Sequence, residues 1–137
     1  MALASLTEVV DRLGGQGYTI IGAAILLSSA KPLPPLEKIL VSHPMIHTAE
    51  GKFFRDCFAD GCAALELPIF GIRERELDER ASAVLGKDCA KLKRKIAGLG
   101  KTIGPPWTSD EKNAALAAQI ALFAGVGIKN RPDPISL

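Results

Sequence analysis

The sequence predicts a helix-rich α/β domain with a small parallel βαβ sheet, and three observations carry that prediction. Two short apolar runs, "YTIIGAAILLSS" and "PIFGIRE", have the length and isoleucine content of buried strands. Roughly 40 residues of mostly helical pattern separate them, the kind of connection that parallel strands require. The other segments repeat apolar residues at steps of three and four and stop at glycine or proline, as helices do.

Leu3, Leu6, Val9, Val10 and Leu13 predict a first helix over 3–13, which "GGQG" ends at Gly14 to Gly17. The first strand is expected over 18–28. Pro34 and Pro35 suit the first turn of a helix through "PLEKILVS", and Pro44 reads as the break after it. A further helix is expected from near Thr48, with Phe53, Phe54, Cys57, Phe58, Cys62 and Leu65 on one face, until Pro68 stops it. After the second strand come three helices, "RELDERASAVLG", "KDCAKLKRKIAGLG" and "TSDEKNAALAAQIALFAG", each expected to end at its glycine. The expected organisation is a single α/β domain over 1–126 and an irregular tail over 127–137, where two prolines interrupt any pattern. The segment from Ala114 to Ala124 is apolar nearly all round, so the sheet is either extended by another strand or covered by a second copy of the chain. A homodimer is expected on that ground.

Composition narrows the function. A chain of 137 residues is long enough to bury a core without metal or disulfide staples, and aromatics at 5% leave that core to aliphatic side chains. Cys57, Cys62 and Cys89 form no C-x-x-C pair, and "MALASLTEVVDRL" carries charge where a secretory segment would be apolar, so a reducing, cytoplasmic location is expected. The longest apolar run falls short of the roughly 20 residues a membrane span needs. A formal net charge of +2 is too small to imply nucleic acid by itself, so only a local concentration of charge argues for it.

Four clusters hold the candidate chemistry. "SHPMIHTAEG" brings together His43, His47 and Glu50, two imidazoles and a carboxylate suited to general acid–base catalysis near neutral pH. Pro44 argues that His43 is a cap outside the helix rather than a partner of His47 one turn on, and Thr48 reads as an N-cap with Glu50 complementing the helix dipole. A zinc site needs three or four converging ligands, and no cysteine or third histidine is near in sequence. "GIRERELDER" places Glu74 and Glu76 at the carboxyl end of a strand, where α/β sheets collect ligands, although alternating Arg and Glu also pair on surfaces. In "GPPWTSDEK", Thr108 and Glu111 have the spacing of a capping box, Asp110 suits the first turn, and Trp107 is either a core plug or a stacking surface. "KDCAKLKRKIAGLGK" has six basic residues against one acidic residue, and on a helix Lys87, Lys91, Arg94 and Lys95 share a face that suits phosphate or, equally, solvent.

Over residues 66–122 the chain resembles the RNase H-like nucleases, in particular the Holliday-junction resolvase branch. The likeness rests on the strand "LPIFGIRERE", which ends in a carboxylate, and on the helix "SDEKNAALAAQIAL", with an acidic residue near its start. By that resemblance Glu74 and Asp110 would be metal ligands holding Mg2+ for phosphodiester hydrolysis. The family's aspartate on a first strand has no counterpart in "YTIIGAAILLSS".

Three functions follow as expectations. One is a phosphoester or nucleic-acid hydrolase with His43, His47, Glu50 and Glu74 as catalytic groups and Asp110 as an added metal ligand. Another is a non-catalytic module whose Lys87 to Lys101 segment binds an acidic partner or nucleic acid. The last is a structural homodimer whose polar clusters are caps.

Overall fold

The two apolar runs pair as parallel strands. In the computed structural model, which describes residues 2–28 and 31–126, β1 (Ala23–Leu27) lies beside β2 (Ile69–Arg73), in a register from Ala23 opposite Ile69 to Leu27 opposite Arg73. The first strand is shorter than the expected 18–28 because β2 offers partners to these five residues alone, and Tyr18 and Ile21 are exposed instead. The helices are α1 (Ala2–Gly15), α2 (Leu36–Leu40), α3 (His43–Ala64), α4 (Leu77–Leu85), α5 (Cys89–Ile103) and α6 (Ser109–Val126), with short 3₁₀ turns at Glu74–Glu76 and Gly86–Asp88. The tail expected over 127–137 lies outside the described residues.

The described chain forms two compact units, one of residues 2–22 and 31–68 and the other of residues 23–28 and 69–126. In the first, α1 and α2 each pack on α3. Its buried positions are few, namely Ile39, Gly61 and Cys62, and α1 has none. Helix α1 comes so close to α3 that a Cβ on Gly61 would meet Leu6 Cδ1 at 2.6 Å. Burial pushes the Cys62 thiol pKa up, as expected for an inert core cysteine. Phe53 and Phe54 do not share in this packing. Adjacent residues point about 100° apart on a helix, and both rings are exposed, set edge to face at 5.9 Å.

Helix α3 corrects two expectations. It begins at His43, not near Thr48, and runs without interruption for 22 residues. Pro44 stands in its first turn, where the missing N–H has no helical acceptor to lose and the fixed φ suits the helix, with Ser42 in the extended N-cap position. Thr48 is therefore an interior residue, its Oγ1 donating to Pro44 O at 2.9 Å, and not a cap. The far end of α3 closes with Leu67 N–H donating to Cys62 O at 2.9 Å and Glu66 in the left-handed region at φ 56°, a position that favours glycine.

In the second unit α6 packs on β1 and α4, and α5 packs on α6. Ile72 of β2, Leu77 and Ala81 of α4, Ile96 of α5, and Leu116 and Ile120 of α6 form one buried cluster. Helix α5 does not end at "AGLG" as expected; it continues through Gly98 and Gly100 to Ile103, and Gly104 at φ 85° makes the turn. Gly100 has another use. Trp107 lies against α5 there, close enough that a Cβ would meet its ring at 2.5 Å, and its Nε1–H donates to Ile96 O at 2.9 Å. Trp107 is thus a plug against the core.

Candidate functional site

The residues of "SHPMIHTAEG" form the best-defined polar array among the described residues. Because α3 is continuous, His43 and His47 stand one turn apart on one face and Glu50 follows less than a turn later. His47 Nδ1 lies 3.0 Å from Glu50 Oε2, and His47 Nε2 lies 3.0 Å from His43 Nε2, with the two rings edge to face at 4.4 Å between centroids. A carboxylate only accepts hydrogen bonds, so the proton on His47 belongs on Nδ1. The Nε2 of a neutral His47 is then an acceptor, and His43 donates to it through Nε2–H. The result is an ordered chain from His43 through His47 to Glu50, fixed by one helix and open to solvent, the His47 and Glu50 side chains being 62% and 56% exposed.

The other candidate carboxylates, Glu74, Glu76 and Asp110, lie in the second unit. Glu74 begins the 3₁₀ turn at the carboxyl end of β2 and is exposed. Its neighbour Glu76 pairs loosely with Arg73 at 3.8 Å and Arg75 at 3.9 Å, the exposed pairing that alternating charges permit. Asp110 is an exposed member of the first turn of α6, where its backbone N–H donates to Thr108 Oγ1 at 3.3 Å. Glu111 Oε2 accepts from Thr108 N–H and Thr108 Oγ1, both at 2.6 Å, completing the capping box and holding the Glu111 carboxyl below its ordinary pKa. Magnesium asks for several converging oxygen ligands. Among the described residues no group of three or more His, Cys, Asp or Glu side chains is arranged to hold a metal ion. Glu74 and Asp110 belong to no such group, so the described residues offer no cluster that fits the Mg2+ implied by the nuclease resemblance.

The basic segment divides into two sets. Lys93 Nζ donates to Asp78 on α4, which raises its pKa through the hydrogen bond and ties α5 to α4. Lys87, Lys91, Arg94, Lys95 and Lys101 are exposed, and the ion pairs among the described residues include none of them. Lys87, expected on the same helix face, lies instead in the 3₁₀ turn before α5, while on α5 Lys91, Arg94, Lys95 and Lys101 stand opposite the arc of Cys89 and Ile96, which is buried. The same helix is therefore anchored by its apolar arc, by Trp107 and by the Lys93–Asp78 pair, and presents the rest of its cations to water.

No protein-family model matches this chain, and no curated protein or solved structure matches it either. No helix among the described residues is long and apolar enough to cross a membrane.

Proposed function

We propose that the protein binds the phosphates of nucleic acid through the cationic face of α5, without reading sequence. What carries this reading is that Lys91, Arg94, Lys95 and Lys101 on α5, with Lys87 in the 3₁₀ turn before it, keep their charges free of carboxylates among the described residues while the helix is anchored. A lysine already paired must break that pair before it can take a phosphate, whereas these give up only water and counterions. No aromatic residue interrupts the segment, so the contacts are with backbone phosphates and not with base faces.

The test is the salt dependence of binding to a single-stranded oligonucleotide. Each phosphate contact contributes about 0.7 to the slope of log affinity against log salt. The triple variant Lys91→Gln, Arg94→Gln, Lys95→Gln should therefore flatten the slope by about 2 and weaken binding at low salt. An unchanged slope in that variant, or no binding by the wild-type chain at low salt, refutes the reading.

A second reading, hydrolysis of phosphoesters, has one observation in its favour, the hydrogen-bonded chain of His43, His47 and Glu50. In it Glu50 holds the tautomer of His47, and the imidazole pair accepts and returns a proton during hydrolysis. Replacing His47 by alanine should then abolish turnover with little change in melting temperature, because the side chain is exposed.

A further inference from the structure

We propose that His43 and His47 form a two-imidazole chelate for a divalent transition metal on the surface of α3, with Glu50 supporting it from behind. The two Nε2 atoms are 3.0 Å apart. A metal about 2.0–2.1 Å from each nitrogen needs them about 2.9 Å apart at a right angle and about 3.3 Å apart at the tetrahedral angle, so the pair spans a metal with little movement. The rings need no search for this arrangement, since the helix backbone sets them one turn apart on the same face.

Glu50 prepares His47 for a metal. A metal-bound imidazole typically donates its other ring N–H to a carboxylate, which fixes the tautomer and raises the basicity of the coordinating nitrogen. His47 has this partner already, Nδ1 lying 3.0 Å from Glu50 Oε2, and its Nε2 lone pair faces His43. Coordination requires His43 to move its proton from Nε2 to Nδ1, an exchange that solvent allows at an exposed ring. The positive end of the α3 dipole opposes a cation here, and the Glu50 carboxylate offsets it.

Imidazole ligands select the metal. Nickel, copper and zinc suit nitrogen donors, whereas magnesium prefers carboxylate and water oxygens. Two protein ligands leave the remaining positions to water or to an incoming donor. While the metal is bound both Nε2 lone pairs are engaged, so this role and proton transfer by the same imidazoles exclude one another. The site is also independent of phosphate binding by α5, which can fail without affecting it.

The test uses the full chain without an affinity tag. Calorimetric titration with Ni2+ should give one site per chain, His43→Ala and His47→Ala should each abolish it, and Glu50→Gln should weaken it by about tenfold. Cys57→Ser should bind as the wild type does, and Mg2+ should produce no binding. In the wild-type chain titrated with Zn2+, nitrogen-15 spectra of the rings should move both Nε2 resonances while His47 Nδ1 stays protonated. The proposal is overturned if His47→Ala binds Ni2+ as tightly as wild type, if Cys57→Ser removes the site, or if the wild-type chain shows no binding at millimolar Ni2+.

Discussion

The two units of this chain hold their polar groups in place by different means. In the second, the cations of α5 are held by packing: an apolar arc in a buried cluster, an indole hydrogen-bonded to Ile96 O, and an ion pair to α4. In the first, few side chains are buried, and the array of His43, His47 and Glu50 is held by the backbone of a single helix. An array at i, i+4 and i+7 needs only helical hydrogen bonds to form, whereas a cationic face without countercharge needs a scaffold to aim it. Changes to packing should therefore disturb the second unit's surface and leave the first unit's array intact.

The largest effect should come from Gly100. Alanine there gains roughly 1 kcal/mol of helix propensity but drives its methyl into the Trp107 ring, which the hydrogen bond to Ile96 holds in place. Overpacking of this kind costs about 1–3 kcal/mol, so Gly100→Ala should destabilise the protein in thermal unfolding and weaken oligonucleotide binding with it. The matching change in the first unit, Gly61→Ala, crowds the movable terminal methyl of Leu6 at 2.6 Å and meets the Leu3 backbone at an ordinary 3.7 Å, so it should leave the melting temperature nearly unchanged. Equal losses at the two glycines would erase the contrast between the units.

A gain should come next. Glu66 closes α3 at φ 56°, a conformation that costs a residue with a Cβ about 1 kcal/mol relative to glycine. Glu66→Gly should raise stability by up to that amount in denaturant unfolding, and the His43 and His47 resonances should not move. The smallest effect concerns Glu111, whose folded-state pKa lies below its ordinary value of 4.5 because Thr108 donates to it. A depressed carboxyl pKa contributes stability above about pH 4.5, and that contribution is lost as the pH falls through the folded-state value. The stability difference between wild type and Glu111→Gln should therefore be constant near neutrality and shrink in acid; a difference that grows in acid would contradict the capping geometry.

Local chemistry was the legible part of the sequence. The spacing of Thr108 and Glu111 specified the capping box, and the isoleucine-rich runs specified two parallel strands, because both depend on residues close together or on simple patterns. Proline and glycine misled where their roles depended on position. Pro44 reads as a breaker unless Ser42 is recognised as the N-cap, after which it falls in the turn that tolerates it and His43 joins His47 on the helix. Gly100 reads as a stop unless Trp107 is known to fold back on α5, a contact that no periodicity encodes. The separation into two units was not legible for the same reason, since the chain leaves the first unit to form β1 and returns to it for α2 and α3.

Phosphate binding by α5 should leave the imidazole array untouched. Titrating the nitrogen-15-labelled chain with a short single-stranded oligonucleotide at low salt, and following every backbone amide, separates the two sites directly. Shifts should concentrate between Lys87 and Lys101, with His43 to Glu50 unmoved; shifts concentrated at His43 to Glu50, with α5 silent, would overturn the assignment of phosphate binding to α5.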